Sequence, residues 1–232
     1  MLPTDPLLIF TALTGCFAGM SMYVSSTDPN PKTSEEAKRH AKQDRLFREK
    51  SAFDTLIRVN RWPFFKQVCV CLGFGQAVFL FKRSAEATKS SLWPALLFNL
   101  VAISGAMGRM WCYRTLQHFF TFNLSIQKDH RIVQAGPYRY LVHPSYTFFF
   151  LNALGTATAV LGSFNPLLVE AFSRLPPYAT TIWIVFQALM PLSHIRNLSL
   201  RISDEEAMMK ERFGRQWEEH VRQRWRLVPL IW

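Results

Sequence analysis

Long apolar runs separated by basic segments constrain this chain more than any other feature of its sequence. A helix of about 20 apolar residues crosses the hydrocarbon core of a bilayer, and backbone groups in lipid must be hydrogen-bonded within such a helix. The pattern therefore predicts an all-α fold, a polytopic transmembrane helix bundle of about five spans. The predicted spans are residues 7–24, 64–81, 92–111, 146–164 and 178–198.

Polar breaks accompany the later spans. Asn165-Pro166 ends the fourth span, and Pro191 interrupts the fifth, because proline removes a helical hydrogen bond. The first run could instead be a cleaved signal peptide. However, no Lys or Arg precedes it, and a signal peptide has a basic amino end. We therefore interpret residues 7–24 as a first transmembrane helix.

The net charge of +11 permits two interpretations, nucleic-acid binding or membrane topology. Nucleic-acid binding requires a solvated basic face, whereas the basic residues here flank the apolar runs. The sequence contains no DNA-binding helix signature and no aromatic platform for single strands. The charge distribution favours topology, and we expect no nucleic acid as a partner.

The orientation follows from the positions of the basic residues. One outer loop would carry Lys82, Arg83 and Lys89, the other would carry Arg174, and no Lys or Arg precedes residue 7. All other members of the 27 Lys and Arg residues lie within or beside the opposite face, which the positive-inside rule assigns to the cytosol. The predicted cytosolic segments are residues 28–62, 113–142 and 199–232.

The first of these segments carries a helix signal. Thr33 and Glu36 stand at capping-box spacing, and apolar residues then recur at helical spacing as far as Ile57. We predict an amphipathic helix at the membrane surface, with a solvated linker helix as the alternative. The four cysteines all lie in apolar runs and show no zinc-ligand spacing, so we expect no metal: Cys16, Cys69, Cys71 and Cys112.

A first cluster of unusual residues precedes the fourth span. Pro144 is suited to the first position of a helix, so the amides of Ser145 and Tyr146 are expected to lack acceptors and to attract an anion. His143 and Tyr146 add side-chain donors, and Tyr138 adds an aromatic face for a flat ring or a cation. The alternative is an aromatic belt at the membrane interface.

A second cluster follows the fifth span. Arg201 and Glu205 are four residues apart, so they share one face of a helix. They could present one cation and one anion to a site at the bilayer surface. The alternative is a surface ion pair, which would contribute only about 0.3–0.5 kcal/mol.

Taken together, the two clusters resemble the isoprenylcysteine carboxyl methyltransferases, in a wider group that includes phospholipid methyltransferases. The family pattern runs His-x-Leu-Val, Gly-x-Tyr, Arg-His-Pro-x-Tyr, a two-helix hairpin, Arg with Glu-Glu, Phe-Gly, an aromatic residue and a closing Pro. The resemblance covers about the last half of the chain. Its residues are His130 to Val133, Gly136 to Tyr146, the hairpin around Asn165-Pro166, Arg201 to Glu206, Phe213-Gly214, Trp217 and Arg226 to Pro229.

The resemblance implies S-adenosylmethionine as methyl donor, S-adenosylhomocysteine as product, and no metal. It places Arg201 on the carboxylate of the substrate. Gln127 is a second candidate for the position that the resemblance assigns to Asn123. The implied donor-binding residues are Asn123, His130, Arg131, Ile132, Val133, Tyr138, His143, Pro144, Ser145, Tyr146 and Glu205.

The same resemblance implies a function and a place in the cell. The expected reaction is methyl esterification of the C-terminal carboxylate of prenylated cysteine in CaaX-type proteins, at the cytosolic face of the endoplasmic reticulum membrane, with membrane lipids as further partners. Residues 1–112 would form transmembrane helices with the charged cytosolic helix at 28–62. Residues 113–232 would form the methyltransferase region, with a cytosolic-face cofactor site built from this C-terminal half.

Departures from the family pattern leave two alternatives open. Val142 stands where the family usually has Arg, and Thr147 and Phe148 stand where a small residue is common. The positive charge could be shifted to Arg139. A non-catalytic membrane scaffold of the same fold is therefore one alternative. The other is a phospholipid N-methyltransferase, which would need Glu205 or His143 as a base because an ammonium must first lose a proton.

Overall fold

The computed structural model describes residues 5–30, 63–82, 89–121 and 131–229. All regular elements in these ranges are helical, as predicted, and an isolated bridge joins Leu141 to Trp225. Short 3-10 turns cover Gln117–Phe119 and Gly136–Arg139. The α-helices are α1 Pro6–Ser25, α2 Pro63–Lys82, α3 Lys89–Leu116, α4 Pro144–Ala159, α5 Pro166–Ser173, α6 Pro177–Phe213 and α7 Arg215–Arg222.

Among the described residues, three helices are long and apolar enough to cross a membrane, which supports the membrane character of the chain. They cover Pro6–Ser25, Phe64–Lys82 and Leu92–Phe119. Large apolar side chains such as Phe17, Phe74 and Trp93 remain exposed on them. Exposed rows of this kind are unfavourable in water and suit contact with lipid.

Small residues let α1 and α2 approach closely. A Cβ atom at Gly19 would lie 2.5 Å from the carbonyl oxygen of Cys69, and one at Gly73 would lie 2.5 Å from that of Gly15. Only glycine leaves room for such backbone contact, which is a recurrent device of membrane helices. Gly73 therefore serves helix packing.

The fourth and fifth predicted spans differ in length from the observed helices. The helix α4 has 16 residues, which is about 24 Å at 1.5 Å per residue and shorter than a bilayer core. Pro191 lies inside α6, which continues without a break to Phe213. The predicted interruption at Pro191 is therefore wrong, because a proline removes one hydrogen bond without necessarily ending a helix. The count of five spans stays a prediction.

The chain divides into two compact units. Unit 1 comprises residues 1–26, 59–107 and 149–193, and unit 2 comprises 27–58, 108–148 and 194–232. Unit 2 thus gathers most of the segments that the sequence predicts on the cytosolic side. The predicted surface helix at 28–62 lies outside the described residues from residue 31 onward. The predicted boundary between the N-terminal helices (residues 1–112) and the methyltransferase region (residues 113–232) stays a prediction.

Candidate active site

Unit 2 brings the two predicted clusters together because α4 and α6 both contribute their site residues to it. The helix α4 begins at Pro144, as predicted from the preference of proline for the first helical position. The helix α6 runs past the predicted end of the fifth span and so carries Arg201 and Glu205 on continuous helix. A turn at Gly214, whose φ of 53° favours glycine, then starts α7.

His143 lies between two carboxylates of α6. Its Nδ1 atom is 3.7 Å from Oε1 of Glu205, and its Nε2 atom is 3.2 Å from Oε1 of Glu206. The His143 side chain is 1% exposed, whereas that of Glu205 is 36% exposed. The rings of His143 and of Trp217 in α7 pack edge to face, with centroids 6.3 Å apart. The histidine is thus enclosed while one carboxylate beside it remains reachable.

The Tyr146 hydroxyl joins the proposed acceptor and donor residues. It donates a short hydrogen bond to Oε2 of Glu205 and accepts one of 2.9 Å from Nε of Arg201. Arg201 and Glu205 therefore share a face of α6, as the four-residue spacing predicts, and they meet through a tyrosine of α4.

The cluster fixes the protonation states of its members. Burial alone would lower the pKa of His143, but the hydrogen bonds and charges of Glu205 and Glu206 raise it to about 9. Partial burial would raise the pKa of Glu205, but hydrogen bonds from His143 and Tyr146 and the charges of His143 and Arg201 lower it to about 2. At neutral pH His143 is a cation and Glu205 an anion.

The segment at residues 225–227 holds this cluster from the other side. The amides of Val142 and His143 donate to the carbonyl oxygens of Trp225 and Arg226, at 2.9 Å and 3.0 Å. The guanidinium of Arg226 donates to both carboxylate oxygens of Glu206, at 2.9 Å and 3.3 Å. These bonds fix the backbone that carries the histidine.

The other residues that were expected to bind the methyl donor differ in how deeply they are buried. Tyr138 is buried, and burial raises the pKa of its hydroxyl well above the usual value. Arg131 is exposed, with its guanidinium 5.9 Å from the centre of the Phe119 ring. Ile132 and Val133 are half-buried. Asn123, Gln127 and His130 lie outside the described residues.

The predicted anion site at the start of α4 requires a correction. The Tyr146 amide does not lack an acceptor, because it donates to the carbonyl oxygen of His143 at 3.1 Å. The first turn is tight enough to satisfy this donor within the chain. The Ser145 hydroxyl and carbonyl oxygens both accept from Arg109, at 3.2 Å and 2.9 Å.

Several residues of the cluster were missed as site residues from the sequence. Glu206 and Arg226 belong to the quoted motifs, so their ion pair could have been suspected from the second Glu of Glu-Glu and the closing basic residue. Arg109 belongs to no quoted motif. Its signal is a charged residue inside the apolar run at 92–111, where an isolated cation is costly.

Two departures from the family pattern have defined environments. Val142 is buried, and its amide is bonded to the 225–227 segment. Arg139 is exposed and lies over the Tyr140 ring at 6.0 Å. Arg139 therefore does not place a buried positive charge beside His143-Pro144, where the family usually has an arginine.

An open groove borders the cluster. It has a volume of about 380 Å³ and is shared by α6, α7 and Arg226. Small-molecule sites commonly begin at about 300 Å³. The groove is lined by Glu206, Ala207, Lys210, Trp217, Glu218, Val221, Arg222 and Arg226.

Comparison with known proteins identifies relatives of this chain. Residues 96–174 match the model of the isoprenylcysteine carboxyl methyltransferase family, a region that includes His143 and ends before Arg201. A rice protein named "Probable protein-S-isoprenylcysteine O-methyltransferase" (Oryza sativa subsp. indica) is 26% identical over 169 residues, covering 72% of this chain and 78% of the relative.

Two further relatives carry related names. Protein-S-isoprenylcysteine O-methyltransferase of Schizosaccharomyces pombe is 34% identical over 104 residues, covering 45% of this chain and 35% of the relative. Protein-S-isoprenylcysteine O-methyltransferase B of Arabidopsis thaliana is 26% identical over 145 residues, covering 62% of this chain and 63% of the relative. These matches confirm the resemblance carried by the motifs: residues 96–174 are similar to the isoprenylcysteine carboxyl methyltransferase family.

Proposed function

We propose that this chain uses S-adenosylmethionine to methylate the C-terminal carboxylate of a prenylated cysteine. The donor supplies an electrophilic methyl group on a sulfonium sulfur. The observation that carries the proposal is the Tyr146 hydroxyl, which links the cation of Arg201 to the anion of Glu205. One cluster thereby offers opposite charges to two ligands whose reacting ends must lie side by side.

The residues present suit the methionine end of such a donor, which carries an ammonium and a carboxylate. Glu205 is an anion with a third of its side chain exposed, and it can accept from an ammonium. Protonated His143 supplies positive potential for a carboxylate. We assign the donor to this cluster and its neighbouring groove, with roles for Tyr138 and for the 130–133 segment as part of the same proposal.

Arg201 is the residue proposed to hold the acceptor carboxylate. A guanidinium presents a planar fork of donors that matches a carboxylate. Its Nε atom already bonds to Tyr146, which sets the orientation of the group. The prenyl chain would remain in the bilayer, where an apolar tail is already out of water. The protein would act by positioning the reactants and excluding water.

The protonation states of the cluster favour a carboxylate acceptor over an amine. A terminal carboxyl group has a pKa of about 3.3–3.7, so it is ionised and needs no base. An ammonium acceptor must lose a proton first. Glu205, with a pKa of about 2, is a weak base, and His143, with a pKa of about 9, already holds its proton at neutral pH. A phospholipid N-methyltransferase is therefore disfavoured.

The proposal is tested by methyl transfer in membranes with a short farnesylcysteine analogue, alongside phosphatidylethanolamine as an alternative acceptor. We expect methylation of the analogue alone. Arg201→Ala is expected to abolish it and to leave binding of S-adenosylhomocysteine unchanged. Arg212→Ala is the matched control, because Arg212 is an exposed arginine of the same helix.

Three results would contradict the proposal. Methylation of phosphatidylethanolamine alone would indicate the lipid enzyme. Equal loss of donor binding and methylation in Arg201→Ala would remove the acceptor role from Arg201. Absence of any thermal stabilisation by S-adenosylhomocysteine would indicate a scaffold, because a ligand at 100 times its Kd should stabilise the folded state by about 2.7 kcal/mol.

A further inference from the structure

Arg109 is a buried cation that the proposed reaction does not yet use. It belongs to α3 within the candidate membrane span Leu92–Phe119, and it is 5% exposed. Charged residues in membrane segments are costly and are retained where they face the protein interior and serve a function. The position of Arg109 therefore calls for an account of what its charge does.

The contacts of Arg109 aim its guanidinium at the start of α4. One terminal nitrogen donates to the carbonyl oxygen of Ser145 at 2.9 Å and to its hydroxyl at 3.2 Å. The Nε atom donates to the hydroxyl of Tyr113 at 2.6 Å. Hydrogen bonds from an ionised donor are stronger than neutral ones, so Arg109 ties the first turn of α4 to α3.

Aromatic rings hold the guanidinium in this orientation. Its central carbon lies 5.5 Å from the centre of the Tyr113 ring and 5.8 Å from that of Phe120. The Phe120 carbonyl in turn accepts from the side chain of Asn30 at 3.0 Å, which fixes the turn after α3. Cation–π contacts are strongest where water is excluded, so the arginine is preorganised.

Ser145 is followed directly by Tyr146, whose hydroxyl joins Arg201 to Glu205. We infer that Arg109 is a positioning residue for methyl transfer, which fixes the first turn of α4 and thereby places the Tyr146 hydroxyl between Arg201 and Glu205. The inference rests on the proposed function and adds a residue that acts through Tyr146 instead of holding a ligand itself. Displacements of about 1 Å at a reacting centre can lower a rate a hundredfold.

The test is a double-mutant cycle on methyl transfer to the farnesylcysteine analogue, normalised to folded protein. Arg109→Gln and Tyr146→Phe are each expected to lower kcat about tenfold or more. If Arg109 acts through Tyr146, the double variant should be no worse than the more impaired single variant, because residues that act as a unit are not additive. Losses that multiply would overturn the inference.

Arg114→Gln is the matched control, because Arg114 is an exposed arginine of the same helix, and it should keep full activity. If Arg109→Gln does not accumulate as folded protein, Arg109→Lys carries the same cycle, since lysine keeps the charge but lacks the fork. Wild-type rates in either Arg109 variant would also overturn the inference. Inactive wild-type protein would instead be a failure of the proposed function.

Discussion

Units 1 and 2 bury different kinds of polar group. Among the described residues of unit 1, the buried polar side chains are all neutral, and they include Gln76, Asn99 and Asn152. Unit 2 instead buries Arg109 and His143. A buried ion costs much more than a buried amide unless it is paired, so the charges of unit 2 indicate a functional site more strongly than the amides of unit 1.

Gln76 of unit 1 and His143 of unit 2 also differ in how completely their polar atoms are bonded. Both polar atoms of the Gln76 amide are buried without a hydrogen-bond partner among the described residues. By contrast, the two ring nitrogens of His143 face Glu205 and Glu206. Neutral amides tolerate imperfect bonding at modest cost, whereas an enclosed imidazolium persists only with its partners. This difference between neutral amides and an enclosed, paired cation can be measured by substitution.

The largest expected effect is on the pH dependence of stability. The folded-state pKa of His143, about 9, lies above its usual 6.5. Its protonated form therefore stabilises the folded state below pH 6.5, and this stabilisation is lost as the pH rises through 9. The linked free energy is at most about 3 kcal/mol. Thermal unfolding in detergent should show a fall in Tm between pH 6.5 and 9 that His143→Gln removes. If the Tm of His143→Gln fell between pH 6.5 and 9 as much as that of the wild type, the raised pKa could not be assigned to His143.

Glu205→Gln should have the next largest effect, on donor binding. The proposed pair joins Glu205 to the ammonium group of the donor. Removing one charge of such a hydrogen-bonded pair costs about 2 kcal/mol or more, and we take the lower end because Glu205 is 36% exposed. Binding of S-adenosylhomocysteine should therefore weaken about 30-fold, as measured by titration calorimetry. Glu211→Gln, at an exposed position of the same helix, is the control. Normal affinity in Glu205→Gln would make Glu205 structural.

Two amide substitutions in unit 1 should have different effects on stability. The Asn152 amide donates to Oγ of Ser21 at 2.7 Å and to the carbonyl of Ala102 at 2.8 Å. Asn152→Leu should therefore cost about 1 kcal/mol, whereas Gln76→Met should be neutral or stabilising. Thermal unfolding of the two variants compares them directly, and methylation should persist in Gln76→Met. A larger loss of thermal stability in Gln76→Met than in Asn152→Leu would contradict this prediction.

The smallest effect is expected at the surface of unit 1. Arg174 is 70% exposed and pairs with Glu170 at 2.7 Å, four residues earlier. Such pairs contribute about 0.3–0.5 kcal/mol, so Arg174→Gln should barely change Tm or activity. A loss comparable to that of His143→Gln would mean that the contrast between exposed and enclosed charge does not hold in this protein.

The sequence predicts the local features of this fold more completely than its long-range contacts. The start of α4 at Pro144 and the first helix follow from proline preference and from apolar length. The full extent of α6 does not, because Pro191 and the polar residues after it resemble the end of a span. The link from Arg201 through Tyr146 to Glu205 joins residues 55 and 59 positions apart, and no local pattern encodes such a meeting.

The bonds between the His143 backbone and residues 225 and 226 have a consequence for biosynthesis. The neighbouring Thr147 hydroxyl also donates to the carbonyl of Leu227, 80 residues later in the chain. A nascent polypeptide that already contains α4 must therefore wait for these late residues to leave the ribosome before its histidine segment is complete. Translation of residues 225–227, and not of the apolar helices, therefore sets the earliest moment at which the segment around His143 can be completed.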